Sequence, residues 1–180
     1  MNHFIKDWVV PFYHVKLDDW DRKKSHLLKI YKTRAEKNMI EDEQVSDFDQ
    51  NNHYEGLILK TLYKDLIDGV EALGYEGLPT LDNSWFQIYN KDHTHSPHNH
   101  GIGILSLVVF IEFSEGHKPT TFLSPFLNFK NGHIMEYSPK DVGEGSMIIF
   151  PSALVHYAPV NKTDTKRMIL SSNLSVVEDK

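Results

Sequence analysis

The chain has 180 residues, a length that fits one domain and leaves room for a hydrophobic core without disulfides or a structural metal. Hydrophobic residues make up 40% and charged residues 24%, which excludes a disordered or fibrous chain. With 19 Lys and Arg against 25 Asp and Glu, the formal charge is -6, a poor match to a phosphate backbone, so no nucleic-acid partner is expected. No apolar run approaches the roughly 20 residues of a membrane span, so no membrane partner is expected either. There is no cysteine, which removes disulfides, thiolate zinc sites and a cysteine nucleophile, and fits a reducing, cytoplasmic setting. Met1 to Val10 has no signal-peptide pattern, because Lys6 and Asp7 interrupt its short apolar stretch.

Taken in chain order, Trp8 to Leu17 is aromatic and β-branched and reads as a strand, placed at an edge by Pro11. Asp18 or Asp19 can cap a helix running to about Lys37, with Trp20, Leu27, Leu28 and Tyr31 near helical spacing. Ile40 to Asn52 is polar and aperiodic and reads as a loop. Tyr54 to Leu73 is the clearest helix, with an apolar stripe from Leu59 through Leu62, Leu66 and Val70, stopped by Gly74. The second half changes to strands: Ser84–Tyr89, the nearly continuous apolar run Gly103–Phe113, Thr120–Leu123, Ser146–Phe150, Leu154–Ala158 and Arg167–Leu174. Turn residues separate them, and short strands at this spacing predict a barrel or double-sheet jelly roll with the helices on one outer face. The class is therefore α+β, mainly β, in one domain over 1–180: a strand and supporting helices in 1–80, and a barrel core in 81–180.

Eleven residues are histidine, and four of them, His93, His95, His98 and His100, fall within eight positions. Imidazole is the commonest transition-metal ligand and a base near neutral pH. His98 and His100 share strand parity, so both can point into one barrel mouth. His156 is the third candidate, far downstream. Two ligands close together and one from a distant strand make a three-point metal site. Arg167 follows 11 residues later; buried there, its fork would face a carboxylate or a phosphate. His93 and His95 read as solvated loop residues, or as groups supporting the ligands at most. His117 and His133 sit beside turns and are expected in solvent, and Asp92 is out of register with the pair.

The stretch from Tyr89 to His100 resembles the start of the iron(II)/2-oxoglutarate-dependent dioxygenase motif set, above all the prolyl-4-hydroxylase-like branch and small phage-encoded relatives. Thr120-Thr121-Phe122, the Gly145–Pro151 stretch, His156 and Arg167 follow in the family's order and spacing, over roughly Trp85 to Asn173. The resemblance implies a double-stranded β-helix (a cupin-like jelly roll) with iron(II) held by His98, His156 and the residue two after His98. It implies 2-oxoglutarate as cosubstrate, its far carboxylate on Arg167 and a hydrogen bond from Tyr89. The implied reaction is hydroxylation of a C–H bond in a peptide, such as at proline, or in a small molecule, with succinate and carbon dioxide as co-products. Two positions depart from the pattern. His100 stands where the family has Asp or Glu, and Ile169 where many members carry a Ser; Ser171 shares parity with Arg167 and can replace it. A three-His cupin-type dioxygenase that does not use 2-oxoglutarate, or a jelly-roll binding module without catalysis, are the rival readings.

Overall fold

The computed structural model describes residues 10–48, 50, 52–101 and 105–177. The strand expectations at Trp8, Val9, Gly103 and Ile104 lie outside them, as do His3, Asp49 and Asn51. The elements are β1 (Tyr13–Lys16), α1 (Trp20–Ile30), β2 (Ile40–Glu41), β3 (Val45–Ser46), α2 (Glu55–Ala72), β4 (Leu78–Tyr89) and β5 (His95–His98). Then come β6 (Leu105–Glu112), β7 (Thr121–Leu127), β8 (Ile134–Tyr137), β9 (Ser146–Pro151), β10 (His156–Ala158) and β11 (Arg167–Val177). One sheet has the order β1-β9-β6-β11-β4-β3-β2 and the other β5-β10-β7-β8. The strand pairs are antiparallel throughout. This is the double-stranded β-helix with its helices on one face. No helix among the described residues is long and apolar enough to cross a membrane.

Alternation along the central strands divides the molecule into two cores. On β6, Leu105, Leu107, Val109 and Ile111 face the helices, where they meet Leu27, Ile58, Leu62, Leu66 and Val70. Val108 and Phe110 face the second sheet and join Phe122, Ile148, Phe150 and Ile169. A strand covered on both sides has no solvent-facing polar side, which explains an apolar run broken only by the buried Ser106 before Glu112. The same parity on β4 and β11 turns Phe86, Ile88, Met168 and Leu170 to the helices. It leaves Trp85, Gln87, Tyr89, Ile169 and Ser171 on the inner face.

Three local features differ from the sequence reading. α1 ends at Ile30 and runs on as a π turn, Tyr31–Ala35, and a 3-10 turn, Glu36–Asn38. The polar stretch read as a loop contains β2 and β3, which extend the large sheet beyond β4. β5 forms as a strand although its composition, His-Ser-Pro-His, does not favour it, because β10 pairs with it, and β8 adds a strand beside β7 that the sequence reading does not name. Beyond β3 the ladder is continued by a side chain. Asp47 Oδ1 accepts the Phe86 N–H at 2.7 Å, while its Oδ2 accepts from the Tyr54 hydroxyl and the Asn52 amide.

The helices are joined by a largely buried ion pair, Lys23 Nζ to Asp65 at 2.7 Å. Removing one partner of such a pair strands the other charge in a low-dielectric setting. Asp65→Ala should therefore destabilise the fold by about 3 kcal/mol in urea denaturation at neutral pH.

Candidate functional site

The inner face converges on the histidines. Antiparallel pairing of β5 with β10 sets His98 directly opposite His156. His100 lies just beyond β5, where its backbone N–H donates to the Ser152 carbonyl at 2.9 Å. One ring nitrogen from each of His98, His100 and His156 then lies within 4.8 Å of the others. Each Nδ1 is held by oxygen: His98 by the Ser96 carbonyl at 2.8 Å, and His156 by the Leu154 carbonyl at 2.9 Å. For His100 the partner is Asn173 Oδ1 at 2.6 Å, which also accepts from Ser106 Oγ at 2.9 Å. A carbonyl oxygen only accepts, so Nδ1 carries the hydrogen and Nε2 keeps its lone pair. The three rings thus offer the nitrogen a metal requires.

Burial keeps the rings neutral. It pushes the His156 imidazole down to about 3, with the neighbouring His98 and His100 adding to the effect, and also lowers His98 and His100. Aromatic rings wall the site: Trp85 lies 5.3 Å from His100, and Phe150 4.9 Å from His156. Among the described residues no carboxylate lines the cavity.

Tyr89 and Ser171 both line this cavity. The Tyr89 hydroxyl donates to Gln87 Oε1 at 3.1 Å, and the Ser171 hydroxyl to the same oxygen at 3.4 Å. Arg167 pairs across the ladder with Tyr89 and lies behind its ring, Cζ 4.3 Å from the centroid. Its Nη1 donates to the Lys118 carbonyl and its Nη2 to the Pro159 carbonyl at 2.6 and 3.0 Å. The guanidinium is buried against the Tyr89 ring, and Tyr89 itself lines the cavity.

Two histidine expectations change. His95 is not a solvated loop residue: it lines the cavity and stacks on His98 at 3.9 Å, and burial lowers its imidazole to about 4. Pairing of β5 with β10 holds it there, a contact between remote segments. His117 is buried rather than in solvent, with Nδ1 accepting from the Ser114 N–H and Nε2 facing the Thr165 carbonyl. His93 instead points to Glu41, 3.8 Å away, and Asp92 pairs with Lys162 on the surface. His133 is exposed. Gln87, Asn173 and Thr120 were missed from sequence. The parity of Gln87 with Tyr89 was the available signal for the first, whereas nothing in the sequence points from Asn173 to His100.

Comparison with known proteins agrees with this geometry. A family model described as "Putative 2OG-Fe(II) oxygenase" matches residues 83–173, half of the chain. No curated protein matches the sequence. Among solved structures, the epimerase SnoN from nogalamycin biosynthesis, described as non-heme and alpha ketoglutarate dependent, superposes with a TM-score of 0.69 at 13% identity. The match covers 93% of this chain and 78% of that one. A prolyl-4-hydroxylase from Pseudomonas putida gives 0.61 at 12%, covering 93% and 94%. The viral collagen prolyl hydroxylase of Paramecium Bursaria Chlorella virus-1, solved as a 2OG complex, gives 0.58 at 14%, covering 92% and 96%. These likenesses are of fold. With half its length matched by the family model, the chain belongs to the 2OG-Fe(II) oxygenases.

Proposed function

We propose that the protein is an iron(II)- and 2-oxoglutarate-dependent hydroxylase in which His98, His100 and His156 hold the metal. The observation that carries this reading is the cluster of three neutral imidazoles, each tied at Nδ1 to an oxygen, with one ring nitrogen of each within 4.8 Å of the others. Iron(II) held there would let dioxygen act as the oxidant, one oxygen atom ending in succinate, formed with carbon dioxide from 2-oxoglutarate, and the other in the hydroxylated C–H bond.

The chain's own part is to bind, orient and exclude water. Ser96, Leu154 and Asn173 fix the ring orientations. Tyr89, Ser171 and Gln87 present hydroxyl and amide groups to a diacid, and Arg167 contributes its charge from behind the Tyr89 ring. The cavity measures about 10 Å³, the space of roughly one water, so a five-carbon diacid enters only if Tyr89 and Gln87 rotate. Rotation releases two hydroxyl donors from Gln87 Oε1 to the entering carboxylate, where a charged acceptor makes each bond stronger. A peptidyl residue such as proline is the first substrate to test, in keeping with the resemblance to the prolyl-hydroxylase branch, and small molecules come second.

The all-imidazole ligand set also fits a dioxygenase that dispenses with 2-oxoglutarate, and succinate separates the two readings. Oxygen consumption matched by succinate is the expected result; consumption without it would replace this reading with the rival. Calorimetry tests the residues. His156→Ala should abolish iron(II) binding. Ser171→Ala and Tyr89→Phe should leave iron binding intact and weaken 2-oxoglutarate by about tenfold or more each, the worth of one hydrogen bond to a charged group.

The buried imidazoles also set an acid limit. Their folded values lie below the ordinary 6.5, so their contribution is complete above that pH and is lost as pH falls toward 3–4. The metal-free protein should lose about 1.4 kcal/mol per pH unit for each histidine kept neutral between pH 6 and 4.5. Urea midpoints across that range would show it, and His156→Gln should flatten the slope by about one proton.

A further inference from the structure

The face opposite the histidines has a charge distribution unlike the rest of the chain. From Arg22 to Lys37 the sequence holds seven Lys and Arg against one acid, Glu36, inside a chain of net charge -6. Lys23 and Lys24 are taken by Asp65 and Glu144, and Arg22 pairs with Asp19. Lys29 and Lys60 make no ion pair among the described residues, and Arg34 reaches only the His53 carbonyl. These cations surround a groove of about 420 Å³ between α1, its π turn and the N-terminal half of α2. Its floor is apolar, formed by Ile30 and by Leu57, which is 44% exposed. No acidic side chain lines it.

We infer that this groove is a docking site for an acidic peptide segment of a partner protein that inserts an apolar side chain between the helices. Charge complementarity selects the anion: unpaired ammonium groups on both walls raise the local potential and speed the approach of an acidic chain. The apolar floor selects the anchor, because a leucine-sized side chain covering Leu57 and Ile30 removes both surfaces from water. Shape and chemistry disfavour the other anionic partners. A bilayer is flat and cannot bring its headgroups to both walls of a concave groove. Single-stranded nucleic acid binds best on several large aromatic platforms, and no Phe, Tyr or Trp lines this groove among the described residues. The helices lie on the far side of the large sheet from the histidines, so docking here leaves the metal-site cavity open.

The test uses the full chain and fluorescence anisotropy. The probe is a labelled peptide of about eight residues alternating paired glutamates with leucine, and its control carries serine for each leucine. The leucine peptide should bind about tenfold more tightly than the control, and its affinity should fall as salt is raised. Lys29→Glu combined with Lys60→Glu should weaken binding at least tenfold, as should Leu57→Ser alone, with thermal melting and iron(II) binding unchanged. Absence of binding, equal affinity for the two peptides, or affinity unchanged in the variants would overturn the proposal. So would binding to phosphatidylserine vesicles in preference to the peptide, which would assign the patch to a membrane surface.

Discussion

Three hydrogen bonds from imidazole Nδ1 to oxygen are the constraint on which the centre depends. A histidine alone on a strand can present either nitrogen and can rotate about its side-chain bonds. With Nδ1–H given to the Ser96 carbonyl, the Leu154 carbonyl and Asn173 Oδ1, that freedom is gone. Two of the acceptors are backbone carbonyls two residues upstream of the histidine they hold, so local strand geometry supplies them. The third is a side chain on β11, and it carries a longer network through Ser106 to Ser152. The rings are therefore arranged before any ion arrives, and their neutrality follows from the burial that holds them.

Much of this was legible in the sequence because it rests on short-range rules. Parity placed His98 and His100 together, and the apolar run from Leu105 to Glu112 announced a strand covered on both faces. The stripe from Leu59 through Leu62 and Leu66 to Val70 announced the helix behind it, although the structure buries Ile58 in place of Leu59. The illegible parts depend on pairing between distant segments. His95 looks like a loop residue until β10 binds β5 and folds it over the cavity. β8 is only four residues long beside the Asn131-Gly132 turn, and pairs with β7. Asn173 reaches His100 through a register that no local period encodes.

Arg167 shows the difference between finding a residue and finding its contacts. Its position after His156 marks it out, and its burial agrees. Two of its donors bond the Lys118 and Pro159 carbonyls, and its guanidinium lies against the Tyr89 ring. It ties two loops to the start of β11.

The end of the β3–β4 ladder is closed by a side chain. A strand edge with free N–H and C=O groups invites another chain to add to it. β3 is only two residues long, and the ladder past it is carried by the Asp47 carboxylate on the Phe86 N–H. The Asp47 carboxylate is buried and bonded to the Tyr54 hydroxyl and Asn52 amide as well, so the β3–β4 ladder ends in a side-chain network tied to the start of α2 rather than in another pair of strand residues.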